Sequence, residues 1–411
     1  MARILVVGGS LGGLMAGSLL HRAGHEVTVL ERSATSLEGR GAGIVTHDDL
    51  RAALRAAGAV VDRTLGIEVE SRVVLDARGE PECQWHNPQV LTSWGRLYTL
   101  LRAALPEDRH RLAAQVVGVE QQDSGVVARL AGGESIEADL LVAADGIRSG
   151  VRAQLLPAVQ PHYAGYVAWR GVCDEALLSQ LTLRTLFPFF GFGLPEGEQM
   201  IGYPVAGSGA DGRDSTEPGE RRWNFVWYRP AGAGPALDAL LTDADGRLHA
   251  KGIPPQQVSW RSIAAVREAA RARLAPQFAE IVEKTALPFL QPIFDLASPQ
   301  LAFGRVALLG DAAFVARPHV GMGVTKAGDD AMALAEGIGR LGATPEALRA
   351  YEQQRLEAGA AVVERGRRLG RYIEARHRGE AARRDPETVM RQTAVEPRLF
   401  DDAPNPDGRA A

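Results

Sequence analysis

The chain has few of the residues that build disulfide frameworks or thiolate metal sites. Its 411 residues include two cysteines, Cys83 and Cys173, which lie far apart and form no C-x-x-C pair. The nine histidines are not spaced as metal ligands either. We therefore expect a reduced, cytoplasmic protein without a disulfide framework and without a metal site.

A strong charge excess and a long uninterrupted apolar run are also missing. The formal net charge is −4, which gives no reason to expect nucleic acid or an acidic membrane as a partner. The apolar stretch 4–20 is broken by glycines. It therefore predicts a strand, a turn and a buried helix rather than a signal peptide or a membrane span. The length favours two or three globular domains.

The sequence does contain a dinucleotide-type turn near its start. In "VVGGSLGG", Gly8, Ser10 and Gly13 occupy the positions of G-x-G-x-x-G between a predicted strand and a predicted helix. Gly8 would permit the tight turn, Gly13 would let the helix approach the strand, and the small Ser10 would leave the backbone open to a pyrophosphate. Glu31 ends the next strand and can accept a hydrogen bond from a ribose hydroxyl. A glycine-rich turn without a ligand is the alternative interpretation.

Two later segments also place an acidic residue directly after a predicted strand. "AADGIRSGVR" contains Asp145, and "LLGDAAFVARPHVGMGVTKAGDDA" contains Asp311. The segments between them, such as "HYAGYVAWRGV" and "RRWNFVWYRP", alternate and carry aromatic residues. This pattern is typical of strands in an antiparallel or mixed sheet, so it predicts a second, sheet-based domain inserted into the first.

In this order and spacing, the three segments resemble the signature regions of flavoprotein aromatic hydroxylases, which are single-component FAD monooxygenases of the para-hydroxybenzoate hydroxylase type. The resemblance spans residues 1 to about 375. It implies an α/β fold with a Rossmann-like FAD-binding domain, an inserted mixed or antiparallel β-sheet substrate domain and a C-terminal helix. The expected division is an FAD-binding domain at 1–72, 95–168 and 296–342, a substrate domain at 73–94 and 169–295, a helical segment at 343–380 and a loosely ordered tail at 381–411.

The resemblance implies FAD as the cofactor and NADH or NADPH as a transient reductant, since a second dinucleotide turn with the right spacing is missing. Asp311 would accept a hydrogen bond from the ribityl chain, although a helix N-cap is an alternative role for it. The helix after Gly323 would stabilise negative charge on the reduced flavin. The expected cofactor-binding residues are Gly8, Ser10, Leu11, Gly13, Glu31, Arg32, Arg40, Asp145, Asp311, Gly321 and Gly323.

One residue departs from the family pattern. Trp94 stands where many relatives have an arginine that touches FAD. Arg96, two positions later, and Arg40 are both candidates for that missing contact, and the sequence leaves the choice between them open.

The substrate pocket is expected between the flavin and the second sheet. A lone histidine or tyrosine often has only a structural role, which is the alternative for each candidate. The expected catalytic residues are His47, Tyr203, Pro318 and His319, and the expected substrate contacts are Phe189, Phe192, Tyr203 and Trp227.

The resemblance also implies the reaction. In this family NAD(P)H reduces the flavin, and a flavin C4a-hydroperoxide formed with O2 then hydroxylates an electron-rich ring. In finer features such as "GRGAGIVTHDDL" the chain resembles family members that act on dihydroxypyridines, which implies 2,6-dihydroxypyridine as the ring and 2,3,6-trihydroxypyridine as the product. A salicylate-like or urate-like ring, another flavin-dependent reaction and a non-catalytic FAD-binding protein are the alternatives. The expected partners are a small aromatic substrate and O2, with neither nucleic acid nor membrane, and a homodimer is left open.

Overall fold

The computed structural model of the chain describes residues 1–38, 43–209, 214–377 and 384–396. Arg40, one of the expected cofactor contacts, lies outside these ranges. The described residues form two large β-sheets with helices packed around them, which confirms the predicted α/β fold. None of the helices within these ranges is both long enough and apolar enough to cross a membrane.

The described residues contain eleven α-helices and twenty strands. The helices are α1 (Leu11–Arg22), α2 (Asp48–Ala56), α3 (Trp94–Ala104), α4 (Gly150–Leu155), α5 (Gln180–Leu186), α6 (Pro235–Leu240), α7 (Trp260–Arg273), α8 (Pro276–Lys284), α9 (Gly323–Leu341), α10 (Pro345–His377) and α11 (Pro386–Gln392). The strands are β1 (Arg3–Val7), β2 (Glu26–Leu30), β3 (Gly43–Thr46), β4 (Ile67–Leu75), β5 (Pro81–Ser93), β6 (His110–Arg111), β7 (Val116–Gln121), β8 (Val126–Leu130), β9 (Ser135–Ala138), β10 (Leu140–Ala143), β11 (His162–Asp174), β12 (Phe189–Gly193), β13 (Gln199–Val205), β14 (Gly207–Ser208), β15 (Asp214–Ser215), β16 (Arg222–Pro230), β17 (Phe289–Ala297), β18 (Ala302–Phe303), β19 (Val306–Leu308) and β20 (Phe314–Val315).

The first sheet is the nucleotide-type sheet. Its six strands run in the order β18-β19-β10-β1-β2-β6, and every neighbouring pair except β18 and β19 is parallel. The inner strands are almost entirely buried, because helices such as α1 and α9 complete the core around them. Val7, Ala143 and Leu308 lie side by side, so the segments that follow these strands emerge at one edge of the sheet.

The second sheet is mixed and has nine strands, in the order β20-β17-β11-β16-β13-β12-β4-β5-β3. Its two faces have different neighbours because side chains alternate along each strand. Trp169 and Trp227 point to one face, where they pack with Phe278 of α8. Tyr203 and Tyr228 point to the other face, which turns toward the C-terminal segment.

The strand boundaries bear on how the chain divides into domains. Strands β4 and β11 each belong wholly to the second sheet. The expected divisions at 72/73 and 168/169 therefore fall inside strands. We propose that both strands belong to the substrate domain in full, together with β3, which pairs with β5.

The C-terminal segment 384–396 does not form the loose tail that its composition suggests. It contains α11, whose Val389 and Met390 are buried. Its backbone is held by Arg72 of β4, which is 0% exposed. The Arg72 guanidinium donates hydrogen bonds to the carbonyl oxygens of Met390, Thr393 and Ala394, at 2.8, 2.5 and 2.6 Å. The prediction of a loose tail is therefore wrong for these residues, because a buried cation satisfies their carbonyl groups.

Replacing Arg72 with glutamine should release this segment. The change removes the charge-assisted hydrogen bonds to three buried carbonyl groups, and we expect a loss of about 3 kcal/mol in the free energy of unfolding. Hydrogen exchange should accelerate at the Ala394 amide, which bonds the His319 carbonyl at 2.9 Å. Arg78→Gln is the matched control, since the Arg78 side chain is 87% exposed. Unchanged exchange across residues 389–394 in the Arg72 variant would contradict the prediction.

Candidate active site

A cavity of about 410 Å³ lies between the edge of the first sheet and the inner face of the second. One part of it is lined by the segments that follow β1, β10 and β19, and the other by the second sheet. The lining residues on the first side include Ser10, Leu11, Gly12, Gly146, Ile147, Gly310, Asp311, Pro318, Gly321 and Gly323. Those on the second side include Arg170, Phe190, Ile201, Tyr203, Val226, Tyr228, Gln291 and Ile293.

The turn after β1 has the geometry that its glycines suggest. Gly8 has a φ of +108°, and a Cβ there would overlap the Ala144 carbonyl group. A Cβ at Gly13 would overlap the carbonyl oxygen of Gly8, so α1 can start this close to β1 only without a side chain at that position. Ser10 lies at the N-cap of α1, yet its hydroxyl forms no capping hydrogen bond. The first turn of α1 is thus open toward the cavity.

Glu31 lies beside this turn at the end of β2. Its carboxylate accepts hydrogen bonds from the backbone N–H of Gly9 at 2.9 Å and of Ser33 at 2.8 Å. These contacts orient the carboxylate next to the start of α1, where the ribose of a dinucleotide would lie. Arg32, which follows Glu31, is exposed and does not line the cavity.

The segment after β19 forms the opposite wall of this part of the cavity. Gly310 and Gly321 have φ values of +64° and +69°. Asp311 lines the cavity and is solvent-accessible, and its carboxylate forms no hydrogen bond to any described residue. It does not cap a helix, so its oxygens are available to a ligand. Desolvation raises the pKa of Asp311, while the charge of buried Lys326 opposes that shift.

The segment after β10 supports these two segments from the side. The Asp145 carboxylate accepts a hydrogen bond from the Gly150 backbone N–H at 2.8 Å, at the start of α4. Arg152 donates to the carbonyl oxygens of Ile147 and Ala312, at 2.6 and 2.9 Å, and so ties this segment to the one that contains Asp311. One oxygen of Asp145 therefore stabilises the start of α4, while its Oδ1 is buried without a hydrogen-bond partner among the described residues, and desolvation raises its pKa.

The residues present fit a dinucleotide with a flavin ring. Two long helices, α1 and α9, begin at the cavity, and neither has a side-chain cap at its N-terminus. An uncapped N-terminus has free backbone N–H groups and a positive end of the helix dipole, which suit a pyrophosphate or a partly anionic ring. Pro318 and Gly321 line the cavity just before α9, and Gly323 lines it as the first residue of that helix.

The position of the missing family arginine is occupied by an aromatic pair. Trp94 lines the cavity and stacks on Tyr98, with ring centroids 5.1 Å apart and an interplanar angle of 13°. Arg96 points elsewhere, because it donates to the Thr64 hydroxyl at 2.7 Å and lies 3.9 Å from the Asp214 carboxylate. The structure therefore gives Arg96 no place at the cavity.

The aromatic wall of the cavity comes from alternate positions of β12, β13 and β16. Tyr203 and Phe190 line it with ring centroids 4.9 Å apart, and Tyr228 continues the wall. Trp227 and Phe189 point to the opposite face of the sheet and pack toward α8, so the expectation that they contact substrate is wrong. Phe192 is on the correct face but lies behind Phe190, against which it stacks at 5.0 Å.

The two candidate histidines are fully buried and lie next to the cavity rather than in its lining. His47 Nδ1 lies 2.8 Å from the Thr325 hydroxyl, and its Nε2 has no hydrogen-bond partner among the described residues. Desolvation lowers the pKa of His47 to about 4, so it is neutral at pH 7. His319 bridges the Tyr166 hydroxyl and the Gln199 amide, at 2.9 and 3.0 Å, which is a structural role.

Sequence reasoning missed several cavity residues. Arg170, Phe190 and Tyr228 are not among the predicted site residues, although Phe190 and Tyr228 lie next to predicted substrate contacts and Arg170 lies in one of the alternating aromatic segments. The strand alternation was visible, but its register relative to the cavity was not. In the described ranges, groups of three or more histidine, cysteine or acidic residues that could hold a metal ion are absent.

Comparisons with known proteins agree with this architecture. A family model described as FAD binding domain matches residues 1–180 and 255–366, and one described as FAD binding domain-like matches residues 163–295. The 2,6-dihydroxypyridine 3-monooxygenase of Paenarthrobacter nicotinovorans is 31% identical over 377 residues, which cover 90% of this chain and 91% of the relative. Salicylate hydroxylase of Pseudomonas putida is 27% identical over 405 residues, covering 91% and 86%.

The solved structures lead to the same group of proteins. The 2,6-dihydroxypyridine-3-hydroxylase from Arthrobacter nicotinovorans superposes with a TM-score of 0.83 at 30% identity, covering 100% of this chain and 99% of that one. The family model spans more than half of the chain, and the likeness extends over the cavity and both sheets. The chain therefore belongs to the family of FAD-dependent aromatic-ring monooxygenases, which use NAD(P)H as reductant.

Proposed function

We propose that this enzyme hydroxylates 2,6-dihydroxypyridine to 2,3,6-trihydroxypyridine, with NAD(P)H and O2 as co-substrates. The observation that carries the proposal is one continuous cavity that joins two uncapped helix N-termini to an aromatic wall. The likeness to 2,6-dihydroxypyridine 3-monooxygenase over 90% of the chain supports this ring over others. A salicylate-like ring is the second candidate, because salicylate hydroxylase is also a relative over most of the chain.

The residues of the first sheet would hold the cofactor. We assign the pyrophosphate to the start of α1, where Ser10, Leu11 and Gly12 line the cavity. Glu31 would accept from the ribose, and Asp311 from the ribityl chain. The start of α9, with Gly321 and Gly323, would stabilise negative charge on the reduced ring. Bound FAD would supply the electron transfer and the oxygen activation.

The residues of the second sheet would hold the ring and control its protons. Tyr203 is buried, and burial raises its pKa, so at neutral pH it donates a hydrogen bond to a substrate oxygen. His47 lies next to the lining, and its Nε2 has no partner among the described residues, but its lowered pKa of about 4 makes it a weak base. Tyr203 would therefore contribute most to favouring the anionic ring, which is the better nucleophile. The apolar residues Phe190, Ile201 and Val226 exclude water from the same space.

The reaction itself is tested with isotopically labelled O2. We expect one labelled oxygen atom to enter the ring next to an existing hydroxyl group, and NADH or NADPH oxidation to accelerate when 2,6-dihydroxypyridine is added. Salicylate and urate serve as comparison rings. Label that enters only from water, or equal stimulation by every ring tested, would refute the proposal.

The role of Asp311 is tested by FAD affinity. Asp311→Ala removes a carboxylate that has no other partner among the described residues, so FAD binding should weaken about 10- to 100-fold without a large loss of fold stability. Flavin absorbance after purification and a titration of the apoprotein measure this. Asp311→Asn keeps an acceptor oxygen and should retain most of the affinity. Full, tight FAD occupancy in the alanine variant would argue against the assignment.

The roles of Tyr203 and His47 are tested by measuring how much of the consumed oxygen yields hydroxylated product and how much yields hydrogen peroxide. Tyr203→Phe removes the donor to the substrate oxygen and should lower the fraction of NADH oxidation that yields product by several-fold, with hydrogen peroxide making up the difference. His47→Gln should lower this fraction less than Tyr203→Phe, because the lowered pKa of His47 makes it a weak base. Tyr163→Phe is the control, since the Tyr163 hydroxyl bonds the Ala231 carbonyl outside the cavity. Full coupling in both test variants would eliminate both residues.

A further inference from the structure

Arg170 of β11 is a cation in the wall of the cavity, and within the described part of the chain it forms no ion pair. Its Nη1 donates to the Gln291 side-chain oxygen at 2.9 Å. Its Nε is buried without a hydrogen-bond partner, and no carboxylate of the described residues lies within ion-pair distance of the guanidinium. A partly buried guanidinium is normally paired with an anion. Arg170 therefore brings an unpaired positive charge to the side where the ring would bind, and its Nη2 has no hydrogen bond to a described residue.

Tyr228 of β16 supplies a second free donor next to Arg170. Its side chain is 0% exposed, it lines the cavity, and its hydroxyl has no partner among the described residues. In the ladder between β11 and β16, Ala168 pairs with Tyr228 and Arg170 pairs with Val226. The two side chains are thus diagonal neighbours on the same face, at a Cβ separation of about 7 Å. One oxygen atom could accept from both.

The surrounding groups leave this positive charge in place. Tyr203 and Tyr228 are phenols at neutral pH because burial raises the pKa of each. Burial keeps His319 neutral by lowering its pKa. Arg72 adds a second buried positive charge behind Phe190, 4.8 Å from that ring. Among the described lining residues, the one carboxylate is that of Asp311, which is on the cofactor side.

We propose that Arg170 and Tyr228 bind an oxygen of the ring substrate and select its anionic form. This rests on the proposed function, which supplies a ring with ionisable hydroxyl groups. A guanidinium and a phenol that both donate hydrogen bonds to one ring oxygen stabilise a negative charge on that oxygen. They stabilise the neutral hydroxyl group less. Arg170 is then a specificity-determining residue: rings without an acidic hydroxyl group would leave its donors unpaired.

The test uses the FAD-loaded enzyme with 2,6-dihydroxypyridine as the probe. Flavin absorbance changes give the Kd, and the ultraviolet spectrum of the bound ring gives its ionisation state across pH. The informative variant is Gln291→Glu, because it keeps the acceptor for Arg170 and cancels the charge. Gln291→Leu removes the acceptor and leaves the charge. Arg170→Met removes the positive charge itself, and Arg170→Lys retains it.

In Gln291→Glu and Arg170→Met we expect the Kd to rise about 10- to 100-fold. We also expect the pKa of the bound ring to rise by about one unit or more, while Arg170→Lys restores part of both. Tyr228→Phe should weaken binding less, and Gln291→Leu least. Arg229→Met is the control on the opposite face, where Arg229 lies over Trp227 and pairs with Glu198, and ring affinity should not change there.

The outcomes separate this proposal from the proposed function. Tight binding by the wild-type enzyme, with affinity and ring ionisation unaffected in Gln291→Glu and Arg170→Met, would overturn the assignment of Arg170 and leave the substrate intact. Variants that change only the KM for NADH would also overturn it, since Arg170 would then serve the reductant. A wild-type enzyme that does not bind 2,6-dihydroxypyridine overturns the substrate and, with it, this role of Arg170.

Discussion

The parallel register of β1, β10 and β19 is the constraint on which the active site depends. It places Val7, Ala143 and Leu308 side by side, although more than 130 residues separate each from the next along the chain. The turns that follow these strands therefore meet at one sheet edge, where ligands of open α/β folds bind. The helices α1 and α9 start from the same edge, which is why both N-termini open into one cavity.

The parts of this arrangement that are encoded locally could be predicted from the sequence. The turn at Gly8, the acidic residue Glu31 and the segment around Asp311 depend on neighbouring residues and on strands that read as buried runs. Which side chains of the second sheet point toward the cavity could not be predicted in the same way. Phe189 and Trp227 are next to Phe190 and Tyr228, and a shift of one residue along a strand exchanges its faces. Only the tertiary contacts decide which face meets the cofactor.

The C-terminal segment shows a second limit of local patterns. Its polar composition suggests a loose tail, yet its carbonyl groups bond to Arg72, which is 318 to 322 positions earlier in the chain. Arg72 in turn is an unusual strand residue, since burial lowers its pKa to about 9 and its hydrogen-bond partners are uncharged. The sequence around Arg72 does not predict an ordered C-terminal segment, and the sequence of that segment does not predict Arg72 as its partner. A buried charged residue can be identified only when its hydrogen-bond partners are known.

Side chains of the second sheet alternate between two roles along each strand: one set lines the cavity and the other packs in the hydrophobic core. Within β16, Val226 and Tyr228 contact the cavity, whereas Phe225 and Trp227 complete a hydrophobic core on the far side. Mutations at the cavity positions can therefore remodel the preference for a ring while the scaffold keeps its own packing. Diversification of this enzyme, in nature or in a directed-evolution library, is best confined to every second residue of these strands. The insertion of one residue into such a strand would turn its cavity-facing side chains toward the core and its core side chains toward the cavity, so that both the pocket and the packing would be lost.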